Sequence, residues 1–191
     1  MKNLKLGFAL CGSFCTFARV MPVMQALCGQ NAEVTAIFSE TAYRTDTRFG
    51  KAKDWVSQAE EITGKPVIHT VTGAEPIGPQ GWFDLLVAAP VTGNTLAKLA
   101  HGITDTAVTM ACKSHLRNAR PLLLAVSTND GLSGSGTNIG ALMNRKQVFF
   151  VPYRQDDAEK KPCSLVADME SIPALIPAVL EGRQPQPLLL K

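Results

Sequence analysis

Short apolar runs alternate along the chain with longer amphipathic stretches. A short apolar run bounded by turn residues is typical of a buried strand. A run that is apolar at every position suits a central parallel strand with helices on both faces, and residues 85–89 are of this kind. Strands are therefore predicted at residues 4–11, 33–38, 85–89, 121–126 and 148–151.

Between the strands, apolar residues recur at three- and four-residue spacing, as on the buried face of a helix. The first such stripe is formed by Phe17, Val20, Met21, Met24 and Leu27 and is predicted to end at Gly29. Further helices are predicted over residues 51–62, 94–101, 105–116, 137–143 and 173–180. Asn94 and Thr95 are the predicted caps of one of them, and Asp105 opens the next.

Two segments are predicted to be irregular. Residues 67–82 are rich in glycine and proline and are expected to form a shaped loop on the ligand-facing side, where Glu75 is the carboxylate of interest. The regular pattern is expected to close at Pro152 before the last helix, and the tail at 184–187 to pack extended or fray.

Alternation of strands and helices of this kind predicts an α/β fold with three layers, a doubly wound, mostly parallel, Rossmann-like sheet with right-handed crossovers. The 191 residues suit a single domain. Such sheets bind ligands beyond the carboxyl ends of their strands, where the strand order reverses. The residues that directly follow each strand are therefore the candidates for a site.

Composition excludes several classes of function. A net charge of +3 and scattered Lys and Arg residues argue against a nucleic-acid partner. Five cysteines without a C-x-x-C pair, and one C-x-x-H spacing at Cys112 and His115, indicate neither a disulfide framework nor a metal site. His69, His101 and His115 show no catalytic pattern and are predicted at the surface or at caps.

Targeting signals are not expected either. The apolar run at 6–10 is too short for the core of a secretion signal. No apolar stretch approaches the ~18 residues that span a bilayer. A cytoplasmic location, with reduced cysteines, is the expectation.

Residues 12–16, Gly-Ser-Phe-Cys-Thr, stand where the first predicted helix begins. Free backbone amides, hydroxyls and the positive end of the helix dipole converge at such a place, which is the chemistry of a phosphate site. A capped helix without a ligand explains the same residues. The loop lacks the glycine pattern of dinucleotide folds and that of phosphate-loop hydrolases, so the pattern supports neither NAD(P) binding nor ATP hydrolysis.

A second polar cluster, at residues 90–95, follows the predicted central strand. Asn94 and Thr95 can both donate and accept hydrogen bonds. Helix capping explains one of these side chains, whereas a planar polar ligand such as an isoalloxazine ring, or its phosphate, explains the set. Ser39 and the pair Ser127-Thr128 follow neighbouring strands and can add donors.

The segment PVTGNTLAKLA, which begins at Pro90, resembles the P-x-x-x-N-T motif of the flavin-containing cysteine decarboxylases and prenyl-flavin transferases. The chain is similar over nearly its whole length to the family of dipicolinate synthase B subunits. That similarity is carried, in order, by GFALCGSFCT, TDTRFG, AEPIGP, PVTGNTLAKLA, TDTAVTMACKSHLRNARP, STNDGL, FFVPYRQDD and KKPCSLVA.

The resemblance implies a flavoprotein-type fold and a partner, the dehydrogenase-like dipicolinate synthase A subunit. Together the two subunits would oxidise dihydrodipicolinate to dipicolinate, a small dicarboxylate, in the mother cell of a sporulating bacterium. FMN or another phosphate-bearing nucleotide is the implied cofactor, with NAD(P) on the partner subunit. The family also implies a homo-oligomer, either a trimer or a dodecamer built from trimers.

The site residues follow from the loops and the resemblance together. Asn94 and Lys98 are the predicted catalytic residues, and Lys98 and Arg154 are candidate partners of the substrate carboxylates. The predicted cofactor-binding residues are Gly12, Ser13, Phe14, Cys15, Thr16, Ser39, Pro90, Val91, Thr92, Gly93, Asn94, Thr95, Ser127 and Thr128.

The sequence departs from its relatives at two positions. Phe14 stands where relatives often carry histidine, and Arg154 where they often carry glycine. The functional histidine and the Met-rich clasp of the decarboxylases also have no counterpart in this sequence. Decarboxylation is therefore less favoured as the activity. Two alternatives stay open: an FMN-dependent decarboxylase or reductase, and a non-catalytic assembly partner of the A subunit.

Overall fold

A computed structural model describes residues 3–191 as one sheet covered by helices. The strands are β1 (Lys5–Leu10), β2 (Glu33–Phe38), β3 (Leu85–Val91), β4 (Leu122–Thr128), β5 (Val148–Phe150), β6 (Tyr153–Asp157) and β7 (Lys161–Ala167). The helices are α1 (Phe17–Gly29), α2 (Glu40–Arg44), α3 (Ala52–Thr63), α4 (Val71–Ala74), α5 (Gly93–His101), α6 (Ala107–Leu116), α7 (Gly136–Met143) and α8 (Ile172–Leu180). None of these helices is long and apolar enough to cross a membrane.

Five parallel strands form the centre of the sheet in the order β2-β1-β3-β4-β5. Helix α1 packs with α3 and α8, and α5 packs with α6 and α7, which gives the two outer layers. Strand β3 is buried at every position, as a strand covered on both faces must be. The predicted doubly wound, mostly parallel sheet is confirmed, and its strand order reverses between β1 and β3.

An antiparallel hairpin of β6 and β7 extends the sheet beyond this parallel centre. Strand β4 pairs with β5 along its first half and with β7 at Ser127 and Thr128. The prediction that the regular pattern closes at Pro152 is wrong. Much of β6 and the start of β7 are exposed and polar, so these strands lack the apolar run that marks the others.

The segment at 67–82 does not form a ligand-facing loop, so that prediction is wrong. Ile68 bridges Ile37 near the carboxyl end of β2, whereas the N–H of Asp84 donates to the carbonyl of Lys5 at the amino end of β1. The segment therefore runs from the carboxyl ends of the strands to their amino ends. Helix α4 and the 3-10 turn Glu75–Ile77 fill this path and pack against α6, and both are too short to show a helical period.

Helix caps differ from the predicted ones. The hydroxyl of Thr92, rather than Asn94, caps α5 by accepting from the N–H of Thr95 at 3.3 Å. Thr106 caps α6 in a reciprocal arrangement with Thr109, and Asp105 lies outside that helix. Strand β3 runs through Pro90 to Val91, so Thr92 follows the strand end directly and α5 begins at Gly93, earlier than predicted. Helix α1 ends at Gly29, as predicted.

The C-terminal tail packs in an extended form, which is one of the two outcomes predicted for it; the other was fraying. The side chain of Gln184 donates to the carbonyl of Phe150 at 2.7 Å and accepts from its N–H at 2.9 Å. Further along, Tyr153 accepts from the N–H of Leu190 at 2.9 Å. The tail thus satisfies backbone groups that strands β5 and β6 would otherwise leave unpaired.

His115, in the last turn of α6, is buried, so its predicted surface or cap position is wrong. Its Nε2–H donates to the carbonyl of Pro121 at 2.9 Å, and burial lowers the pKa of the ring to about 4. His69 stacks on Tyr43 at 3.7 Å between ring centroids, and His101 is exposed in the last turn of α5. The buried position of His115 makes the stability of the fold sensitive to pH.

The free energy of unfolding is expected to fall as the pH falls through the range from 6.5 to 4. The unfolded chain takes up a proton on His115 near pH 6.5, whereas the folded chain does so only near pH 4, so acid favours unfolding. The expected loss at pH 4 is about 3 kcal/mol. Urea unfolding at pH 7.5 and pH 4 measures it.

His115→Gln removes the titrating ring and keeps a donor for Pro121, so its unfolding free energy should lose about 3 kcal/mol less over the same range. His101→Gln, at an exposed position, should behave like the wild type. Equal pH dependence in the wild type and His115→Gln would contradict the role given to His115.

Candidate functional site

A cavity of about 690 Å³ opens at the carboxyl edge of the sheet, where the strand order reverses between β1 and β3. Its volume is within the range of roughly 300–1,000 Å³ found for small-molecule and cofactor sites. The loops after β1, β3 and β4 line it, and the β6–β7 hairpin supplies a further wall. The predicted site residues at the cavity are Gly12, Ser13, Phe14, Cys15, Thr16, Thr92, Gly93, Asn94, Ser127 and Thr128.

The loop after β1 leads into a 3-10 turn, Phe14–Thr16, that continues as α1. The carbonyl of Ser13 accepts from the N–H of Thr16 at 3.1 Å and from its hydroxyl at 2.6 Å. Within residues 3–191, the N–H groups of Phe14 and Cys15 have no protein acceptor, as expected at the first positions of a helix. Donors of this kind suit an anionic oxygen.

Helix α5 begins at the same cavity. Asn94, in its first turn, is exposed, and its amide makes no hydrogen bond to any residue that the structure describes. The Thr95 side chain is instead buried against the hydroxyl of Thr92, 3.2 Å away. Asn94 is therefore available to a ligand and Thr95 is not. Two helix N-termini, with their partial positive charge, converge on one cavity.

The loop after β4 is organised around Asp130. Its carboxylate accepts hydrogen bonds from the hydroxyls of Thr128 and Ser135, the latter at 2.9 Å. Its carbonyl accepts from the N–H groups of Ser133 and Ser135. These bonds hold the loop in place on one side of the cavity.

Two close contacts join the loops to each other. The hydroxyls of Ser13 and Ser127 are 2.8 Å apart, which links the loop after β1 to the end of β4. A Cβ atom added at Gly93 would lie 2.7 Å from a carboxylate oxygen of Asp130 and 2.8 Å from the hydroxyl of Thr128. Only glycine fits between α5 and the Asp130 loop.

Several cavity residues are not marked by the sequence pattern. They are Arg19, Phe49, Asn129, Asp130, Asp156, Lys161, Ser164, Leu165 and Val166. Phe49 lies in a tight turn closed by backbone hydrogen bonds between Thr47 and Gly50 at 3.0 and 3.1 Å. The TDTRFG motif that contains this turn stands out by its resemblance alone, since it carries no chemical signature. The residues from 156 onward belong to the hairpin, which has no apolar run to reveal it.

Five predicted site residues lie outside the cavity lining. Ser39 caps α2 by accepting from the N–H of Ala42 at 3.2 Å, and Pro90, Val91 and Thr95 are buried. Lys98 forms an ion pair with Asp105 at 2.8 Å, on the part of α5 that leads away from the site. The structure therefore places Lys98 and Ser39 outside the cavity lining, with their polar groups bonded to other parts of the chain.

Arg154, the other candidate partner for a carboxylate, also lies away from this cavity. It lines a separate groove of about 560 Å³ that includes Leu132, Met143 and Leu189. The cations that do line the cavity are Arg19 and Lys161. Arg19 forms two hydrogen bonds with Glu170, at 2.8 and 2.6 Å, which lower the pKa of that carboxyl.

The cysteines near the cavity differ in environment. Cys11, at the end of β1, is buried, and burial raises the pKa of its thiol to about 11, so it stays neutral. Cys15 is exposed and lines the cavity, 3.9 Å from the hydroxyl of Ser13. Across residues 3–191, no three His, Cys, Asp or Glu side chains group as they would around a metal ion.

Comparison with known sequences gives matches over most or all of the chain. The profile of the Flavoprotein family matches residues 1–179. The dipicolinate synthase B subunit of Bacillus subtilis is 43% identical over 191 residues, which covers 100% of this chain and 96% of that protein.

Comparison with solved structures gives the same fold. The crystal structure of the dipicolinate synthase B subunit from Bacillus halodurans superposes with a TM-score of 0.91 at 41% identity, covering 100% of this chain and 99% of that one. The FMN-dependent cysteine decarboxylase SpaF superposes with a TM-score of 0.67 at 22% identity, covering 94% and 97% of the two chains. The second likeness shows the fold alone.

Proposed function

The chain belongs to the Flavoprotein family and is a homologue of dipicolinate synthase B subunits, and we propose that it binds a flavin nucleotide as the B subunit of such a synthase. One observation carries the cofactor: two helix N-termini meet at the reversal point of the strand order, in a cavity of about 690 Å³. In flavodoxin, whose sheet has the order 2-1-3-4-5, FMN binds at this point.

The residues at the cavity fit FMN. The free N–H groups of Phe14 and Cys15 and the hydroxyl of Ser13 would hold the phosphate. The unengaged amide of Asn94 would meet a polar edge of the flavin, and the ring of Phe49, 44% exposed at the rim, offers an apolar surface. A bound flavin supplies a two-electron acceptor, which an oxidation requires.

The proposed reaction is the oxidation of dihydrodipicolinate to dipicolinate during sporulation. The substrate loses two electrons and two protons, and a flavin, or NAD(P) on the partner subunit, takes up the electrons. This chain contributes binding and orientation through the loops around Asn94 and Ser127. The proposal includes a dehydrogenase-like A subunit as partner, a cytoplasmic location in the mother cell, and a homo-oligomer of this chain.

Titration of the purified protein with FMN and with riboflavin tests the cofactor. FMN should bind at least roughly tenfold more tightly, because a charge-assisted hydrogen bond contributes about 1.5–3 kcal/mol and tenfold corresponds to about 1.4 kcal/mol. Asn94→Ala should weaken both ligands, whereas Lys98→Ala, outside the cavity, should not. Equal affinity for FMN and riboflavin would contradict the proposed phosphate site.

A mixture of both purified subunits with dihydrodipicolinate and an electron acceptor tests the reaction. Turnover should need both subunits and should fall with Asn94→Ala. If this variant still assembles with the A subunit and turnover is unchanged, the chain acts as an assembly partner. Release of carbon dioxide by this chain alone would instead support a decarboxylase.

A further inference from the structure

We infer that Lys161 and Asp156 form a carboxylate subsite of the cavity, in which Asp156 holds the ammonium group of Lys161 until a substrate carboxylate replaces it. The identity of that carboxylate as part of a pyridine dicarboxylate rests on the proposed function. Both side chains line the cavity and form an ion pair with each other. The Lys161 and Asp156 side chains are 57% and 42% exposed, so both can reach a ligand.

The ion pair is not what holds the hairpin together. Asp157 orders the turn between β6 and β7, because its carboxylate accepts from the N–H groups of Glu159 at 3.2 Å and Lys160 at 3.0 Å. Register contacts between the two strands continue from Tyr153 to Asp157. The hairpin therefore keeps its form when Lys161 changes partner, and an exposed ion pair exchanges partners at little energetic cost.

The second cation of the cavity is less available. Arg19 is held by Glu170 through two parallel hydrogen bonds, at 2.8 and 2.6 Å, which is the stronger kind of ion pair. Lys161, by contrast, makes a single hydrogen bond, to the carboxylate of Asp156, and its own side chain is flexible. A dicarboxylate that enters the cavity thus finds Lys161 as the cation that can turn toward it.

The cavity that Lys161 lines also offers apolar surface for the ring of an aromatic dicarboxylate. Leu165 and Val166, on the same strand β7, line the cavity together with the half-buried ring of Phe14. Apolar surface beside a single mobile cation binds a flat ring with a charged edge. The phosphate donors of the helix N-termini are separate groups, so cofactor and substrate need not compete for Lys161.

Binding of pyridine-2,6-dicarboxylate, measured by calorimetry on the purified protein, tests the subsite through opposite effects of two variants. Lys161→Gln removes the cation and should weaken binding by roughly tenfold. Asp156→Asn removes the internal competitor and should tighten binding severalfold. Lys160→Gln, a neighbouring exposed lysine outside the cavity, should bind like the wild type.

The two variants change the affinity for the dicarboxylate in opposite directions, which separates a subsite from a structural ion pair. Loss of either member of a structural pair would weaken binding. The inference is overturned if Lys161→Gln binds as the wild type does, or if Asp156→Asn binds more weakly. It is also overturned if the wild type takes up FMN but no dicarboxylate, a result that leaves the proposed cofactor intact. If the two variants change dicarboxylate affinity as expected but the protein binds no flavin, the subsite is supported and the proposed flavin cofactor is rejected.

Discussion

Gly93→Ala is expected to weaken FMN binding by at least roughly tenfold while the chain stays folded. The added Cβ would lie 2.7 Å from the Asp130 carboxylate and 2.8 Å from the Thr128 hydroxyl, so α5 or the Asp130 loop must move. Overpacking of this kind costs about 1–3 kcal/mol. The movement displaces the N-terminus of α5, whose donors face the cavity.

Gly140→Ala is the matched control for this prediction. Gly140 lies in α7, and beyond its neighbours in the chain and the backbone of that helix no atom lies within 4 Å of a Cβ added there. Because alanine is a better helix former than glycine, this variant should keep FMN affinity and gain up to about 1 kcal/mol of stability. FMN titration and urea unfolding of both variants measure the contrast, and wild-type affinity in Gly93→Ala would show that the close packing has no role in binding.

Asp130→Ala should lower the free energy of unfolding by about 2–4 kcal/mol and abolish FMN binding. The carboxylate accepts from the hydroxyls of Thr128 and Ser135, and Ser135 is buried. A buried polar group left without its partner costs about 1–3 kcal/mol, and this change removes the acceptor of two hydroxyls. The freed loop no longer supports the cavity or the N-terminus of α5.

Asp130→Asn keeps an acceptor oxygen of the same size and should lose about half as much stability. Glu61→Ala, an exposed carboxylate on α3, should stay within about 0.5 kcal/mol of the wild type. Gly93→Ala combined with Asp130→Ala should cost less than the sum of the two, because both act on one contact. A stability of Asp130→Ala equal to that of the wild type in urea unfolding would disprove the organising role of this carboxylate.

The part of the site that could be predicted comes from the order of strands and turns. Central parallel strands are apolar because helices cover both faces, so β1, β3 and β4 stand out in the sequence. The residues after such strands meet at one edge of the sheet by geometry alone. For that reason the loops around Ser13, Asn94 and Ser127 can be predicted from local sequence.

Some of the differences between prediction and structure concern where side chains point. Lys98 follows Asn94 by one helical turn, yet its ammonium group pairs with Asp105, in the loop after α5. Ser39 follows a strand, but its hydroxyl serves as the cap of α2. Local sequence identifies a residue as polar and near a strand end, whereas the neighbours that compete for it come from other segments.

The sequence by itself determined the parallel sheet, the edge at which the cavity opens, and the helix N-termini that suit a phosphate, since these follow from local apolar patterns and strand ends. Only the tertiary structure decided the remaining walls of the cavity. The exposed β6–β7 hairpin returns beside β4 from a distant part of the chain and brings Asp156 and Lys161 to the site, and a tight turn brings Phe49. Pairing between distant segments leaves no local period, so the available cation of the site was visible only in the fold.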